Sequence, residues 1–157
     1  MGYFLYFIHG WDGTENSLWI PALKAHFTKA GHKCFSTTFP NALEPKYEEW
    51  RQHFETTLRA NWKGEPIIFV AHSMGGYFIL RTVSECTDQP WAQKIVAVIT
   101  VGGVTISSDR HGGFYSVPIN WNALTQLKCS ICVMYSNDDP YVSTDNALNA
   151  RTNLEGA

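Results

Sequence analysis

Five short runs of apolar, β-branched and aromatic residues alternate along this chain with segments whose apolar residues recur at helical spacing. That alternation admits few folds, because strands separated by helices return parallel, with their crossovers stacked on the faces of one sheet. The strand runs are Tyr3 to Ile8, His32 to Thr38, Pro66 to Val70, Ile95 to Val101 and Cys129 to Tyr135. The first is apolar at every position, the pattern of a strand buried on both faces. Between them, a helix is predicted from about Leu18 to Ala30, capped by Asn16 or Ser17 and stopped by Gly31. A second starts at Pro45 and carries Tyr47, Trp50, Phe54 and Leu58 at spacings of three and four. Tyr77 to Glu85 continues as a third, a short one lies near Asn122 to Leu127, and Thr144 to Leu154 makes the last. No internal repeat or linker interrupts the 157 residues, so residues 1–157 are read as one domain. The expected architecture is α/β: three layers around a parallel sheet of strand order 2-1-3-4-5.

Composition narrows the partners. Lys plus Arg number 12 and Asp plus Glu 14, with no basic block, which argues against nucleic acid. The apolar runs are no longer than a strand, and no basic region precedes the first. Neither a membrane span nor a secretory leader is expected. Four cysteines without a leader point to reduced thiols and a cytoplasmic address. Cys129 and Cys132 have the spacing of a metal or redox pair, but in a strand those two positions face opposite sides. They are read as core cysteines, and no metal or cofactor is expected.

The chemistry concentrates at Val70-Ala71-His72-Ser73-Met74-Gly75-Gly76. A buried strand runs into a helix here within a few residues, and such a strained turn demands little bulk two positions either side of its central residue. Ala71 and Gly75 occupy those positions. The turn projects the Ser73 hydroxyl beyond the strand and aims the Met74 amide at the same point, where the helix dipole favours developing negative charge.

A nucleophilic serine also needs a base, a group that orients the base, and a second oxyanion donor. The loop His9-Gly10-Trp11-Asp12-Gly13 follows a strand expected beside the elbow strand, and the Trp11 amide is the expected second donor. Ser136-Asn137-Asp138-Asp139-Pro140-Tyr141-Val142 follows the fifth strand and supplies the acid. Asp139 is preferred because proline fixes its turn, with Asp138 the alternative. Serine before aspartate is one of the known chain orders of such triads, and in that order the histidine comes last. No histidine follows Asp139. His111 precedes it, His72 is expected to point away into the sheet edge, and His26, His32 and His53 fall in regular elements.

Residues 102 to 121 lack a clear period and read either as a lid over the site or as a surface excursion. His9, Phe114, Tyr115, Trp121 and Tyr141 are the expected substrate wall. The fifth strand is apolar on both faces, unlike an edge strand. One further strand beyond Ala157, carrying the histidine, is therefore expected, or else a homodimer formed through the exposed fifth strand.

The combination of His9-Gly10-Trp11, Trp19, Ala71-His72-Ser73-Met74-Gly75-Gly76 and Ser136-Asn137-Asp138-Asp139-Pro140 resembles the compact α/β-hydrolase family of the retinoblastoma-binding serine hydrolase type. That resemblance implies a small α/β-hydrolase fold without a large cap domain, with nucleophile and acid on Ser73 and Asp139. The family's histidine, in a segment after the last strand, has no counterpart among these residues. The expected function is hydrolysis of a small-molecule acyl substrate, an ester or amide. The alternative is a non-catalytic binding protein on the same scaffold.

Overall fold

In the computed structural model, which describes residues 2–155, strand β1 (Phe4–Ile8) is buried at every position. Because successive side chains of a strand face opposite sides, Phe4, Tyr6 and Ile8 enter one core, and Leu5 and Phe7 a second. These two cores flank a parallel sheet. After β1 come α1 (Ile20–Lys29), β2 (Lys33–Ser36), α2 (Tyr47–Asn61), β3 (Ile67–His72) and α3 (Met74–Glu85). A 3-10 turn then leads into β4 (Ile95–Val101), followed by α4 (Arg110–Gly113), α5 (Trp121–Thr125), β5 (Ser130–Met134) and α6 (Asp145–Glu155). All four strand pairings are parallel and the order is β2-β1-β3-β4-β5, as the alternation predicts.

The larger core is aromatic. Tyr47, Trp50, Phe54 and Leu58 of α2 are all buried, and Trp50 and Phe54 both meet Phe78 of α3 edge-on. Each such side chain contributes roughly 1.5–3 kcal/mol by leaving water. Arg81 is buried beside them, its guanidinium 3.4 Å above the Tyr47 ring and its Nε donating to Glu85.

Helix α1 begins later than its sequence suggests. Leu18 has φ 53°, which ends helical geometry there, and the Ser17 hydroxyl accepts from the Thr14 N–H instead of capping. Trp19 occupies the cap position without a side-chain bond. The other end follows expectation. Gly31, at φ 87°, lets the His32 and Gly31 amides fold back onto the carbonyls of Phe27 and Thr28, closing the helix.

The fifth strand departs from its reading. Ile131 and Val133 pack on the larger core, but Ser130, Cys132 and Met134 are exposed. Cys132 is therefore not a core cysteine, whereas Cys129 is partly buried. The reason is tertiary. Among the described residues, α1 alone packs into the smaller core, and an apolar groove of about 550 Å³ remains along Leu5, Ile68, Val70, Ile99, Val101 and Met134.

Candidate active site

The junction of β3 and α3 carries the strain expected of it. Ser73 has φ 50° and ψ −118°, a conformation that costs a residue with a Cβ about 1–3 kcal/mol and persists only where neighbours fix it. Three backbone bonds do so: the Ser73 N–H donates to Val101 O (3.0 Å), and the Ser73 carbonyl accepts from Gly76 (2.9 Å) and Val104 (3.2 Å). Gly75 is required by β1 rather than by Ala71. A Cβ there would lie 2.4 Å from the His9 carbonyl oxygen. Gly10 is similarly confined, with the Ser73 Cβ at 3.0 Å and His72 Nδ1 at 3.1 Å from where its own Cβ would stand.

The loop after β1 is tied down residue by residue. His9 is 1% exposed, and its Nε2 accepts from the Phe39 N–H at 2.8 Å. That bond leaves the proton on Nδ1, which donates to Gly10 O at 2.7 Å. Burial pushes the imidazole below its usual pKa and keeps it neutral. Trp11 is held by its indole N–H on Leu43 O, and Asp12, at φ 51°, by its amide on Ala42 O. The Trp11 backbone N–H has no backbone acceptor among the described residues. Met74 is the first residue of α3, where no intrahelical acceptor exists for its N–H.

Asp139 lies across from Ser73 on the turn after β5. Its Oδ1 accepts from the Tyr141 and Val142 amides at 2.8 and 3.0 Å. Those two amides hold the carboxyl below its usual range, with a smaller contribution from His72. Gly102, at φ 55°, ends β4 in a left-handed conformation, and a Cβ there would stand 3.2 Å from Asp139 Oδ2. Asp138 turns elsewhere, accepting from the Ser136 hydroxyl.

Ser73 and Asp139 line one cavity of about 750 Å³. Its walls include Trp11, Asp12 and His72, with Val104, Ile106, Ser108, Arg110, His111 and Tyr115 from the segment after β4, and Tyr141, Val142 and Asn146. The 102–121 segment is thus a wall of this cavity. Phe114 and Tyr115 anchor it in the core, the single Tyr77 O–H is shared between the Tyr115 and Val117 carbonyls, and Asn146 Oδ1 accepts from the Thr105 and Ile106 amides. Its tip is a left-handed run, with φ 50° at His111, 61° at Gly112 and 83° at Gly113, and His111 packs on Trp11 across the cavity mouth.

Several sequence expectations are corrected here. Of the five expected wall residues, Tyr115 and Tyr141 line the cavity, but His9, Phe114 and Trp121 are buried in the interior. Aromatic character marks core and wall alike, so type alone does not separate them. His72 packs its half-buried ring against Trp19, on the sheet face that also carries Ile68 and Val70, and the residue borders the cavity from there. Arg110, His111 and Asn146 were not singled out as wall residues, and only the aperiodicity of residues 102–121 signals the first two. Among the described residues no imidazole is hydrogen-bonded to Ser73 or Asp139; those of His9, His32 and His53 are engaged elsewhere.

The wider relationships of the chain agree with this geometry. The family model described as Serine hydrolase matches residues 5–156. The serine hydrolase RBBP9 of Rattus norvegicus is 25% identical over 135 residues, which is 85% of this chain and 65% of that protein. The chain thus spans about 65% of the length of this curated relative. Among solved structures, the ydeN gene product of B. subtilis superposes with a TM-score of 0.80 at 22% identity, covering 98% of this chain and 81% of that one. Est1E from Butyrivibrio proteoclasticus gives 0.75 at 11% identity, covering 98% and 75%. The mouse alpha/beta hydrolase domain-containing protein 10 gives 0.70 at 16%, covering 96% and 75%. These superpositions establish a shared α/β-hydrolase fold. With a family match running nearly end to end, this chain belongs to the serine hydrolase family.

Proposed function

We propose that the protein hydrolyses the acyl bond of small esters or amides, with Ser73 as nucleophile and Asp139 as the acid of its triad. The observation that carries this reading is the strained Ser73 facing the Asp139 carboxylate across a single cavity. Ser73 Oγ attacks the substrate carbonyl while an imidazole between Ser73 and Asp139 takes its proton. The amides of Trp11 and Met74 hold the resulting oxyanion, and the imidazolium returns the proton to the leaving alcohol or amine. Water then releases the acyl group by the same steps in reverse order of partners. Asp139 orients the imidazole and stabilises its charge. Among the described residues no imidazole is bonded to Ser73 or Asp139, so in the test below free imidazole serves as the base. Tyr115, Tyr141, Val104 and Ile106 form the apolar wall for the acyl chain.

The test is labelling by a fluorophosphonate probe. The 157-residue chain should label slowly and at Ser73 alone, and added imidazole should accelerate labelling by filling the space beside Asp139. Loss of a triad member costs roughly 10⁴-fold, which sets the upper scale for what added imidazole can recover. Undiminished labelling of Ser73→Ala would overturn the assignment. A second reading, a binding protein on this scaffold, draws on the lack of an imidazole bonded to Ser73 or Asp139 among the described residues. It requires that added imidazole does not accelerate labelling.

A further inference from the structure

The hydrolase reading leaves the one basic group of the cavity's lining without a role. Arg110 is the sole lysine or arginine among the described residues that line it. It is solvent-exposed, and among the described residues no carboxylate lies within ion-pair distance of it, unlike Arg51, Arg81 and Arg151. Of the two acidic groups in the cavity, Asp139 is engaged by two amides, and neither it nor Asp12 forms an ion pair with Arg110 among the described residues. The segment presenting Arg110 is not loose. Phe114 and Tyr115 are buried behind it, the Tyr77 hydroxyl and Asn146 tether both its arms, and the Ser108 N–H donates to Tyr115 O across its base at 3.0 Å. The next residue, His111, is held at φ 50°, a conformation a histidine keeps only where its surroundings impose it. Chain strain and tethers therefore fix the backbone that carries Arg110, and its uncompensated side chain borders the same cavity as Ser73.

We infer that Arg110 selects substrates whose acyl chain ends in a carboxylate: a monoester or monoamide of a small dicarboxylic acid. This rests on the hydrolase reading above. The scissile carbonyl sits at Ser73, the methylene chain lies along Tyr115, Val104 and Ile106, and the distal carboxylate meets the planar guanidinium fork. Because Arg110 is exposed, solvent screens the pair, and the preference is about twofold to fivefold rather than absolute.

Two measurements separate this inference from the reading beneath it. In the imidazole-supplemented assay, kcat/KM for the p-nitrophenyl monoester of glutaric acid is compared with that for p-nitrophenyl valerate, in wild type, Arg110→Gln and Arg110→Lys. In parallel, calorimetry compares binding of 5-oxohexanoate, a ketone that is not hydrolysed, with 5-oxohexanamide. Wild type should prefer the acidic member of each pair, Arg110→Gln should bring both ratios to about one, and Arg110→Lys should restore part of the preference. Ratios that are equal in wild type and Arg110→Gln overturn the inference while turnover of both esters upholds the hydrolase. Discrimination in binding without turnover of either ester upholds carboxylate recognition and overturns the hydrolase reading.

Discussion

Replacing Gly75 with alanine tests the dependence of the whole site on one close approach. The added Cβ would stand 2.4 Å from the His9 carbonyl oxygen, 2.8 Å from Ile8 Cγ2 and 3.0 Å from the Ile8 carbonyl oxygen. Relief to ordinary contact requires a movement of about 1 Å. Two of the three obstacles are backbone, so neither can swing aside as a side chain does. Either α3 lifts from β1 or the end of β1 gives way. Overpacking of this kind costs about 1–3 kcal/mol, and a backbone obstacle places Gly75→Ala near the upper end. For a chain of this size that lowers Tm by roughly 6–12 °C. The same movement displaces the His9–Trp11 loop relative to Ser73, and an error of about 1 Å in a reacting site costs on the order of 10²-fold. Thermal unfolding and fluorophosphonate labelling read the two effects. The control is Gly112→Ala, at φ 61° with no atom within 4 Å of the new Cβ, which bears left-handed strain of about 1–2 kcal/mol without a clash. If Gly75→Ala melts no lower than Gly112→Ala, the close approach of α3 to β1 does not govern this site.

Three further outcomes are expected. Burial holds the folded His9 pKa below the usual 6.5, so the unfolded chain takes up a proton that the folded chain refuses. Its contribution to stability is complete above about pH 6.5 and falls as pH drops from there toward the folded pKa; denaturant unfolding of wild type and His9→Gln between about pH 7.5 and about pH 5 should show the steeper loss in wild type, and parallel slopes would refute this. Asp139→Asn keeps an oxygen for the Tyr141 and Val142 amides but loses the charge, so Tm should hardly move while the acceleration of labelling by imidazole is lost; a large loss of Tm with retained acceleration would make Asp139 a turn residue only. Tyr77→Phe removes the donor to Tyr115 O and Val117 O, should cost about 1 kcal/mol, and should speed amide exchange across residues 108–116 more than in β3.

The alternation of β-rich and helical runs determined the parallel sheet, because local periodicity fixes which face each element buries and right-handed crossovers leave few ways to join them. The small residues around Ser73 likewise determined the elbow, since a strained turn excludes bulk and the sequence records that exclusion directly. The order of serine before aspartate pointed to the turn that carries Asp139, and the fold brings that residue into one cavity with Ser73. What sequence did not decide was the use of side chains that are chemically alike. Phe114 and Trp121 are core while Tyr115 and Tyr141 border the cavity, and only the path of the chain after β4 separates them. His72 was expected at the sheet edge away from Ser73, and its ring lies against Trp19, but only the folded chain shows that the residue also borders the cavity. β5 reads as a central strand because its side chains are apolar, yet burial depends on what covers a face, and among the described residues nothing covers Met134, which is 53% exposed. Arg110 has no motif around it. Its place beside the cavity of Ser73 comes from Tyr77, Phe114 and Asn146, residues distant in sequence whose contacts exist only in the folded chain.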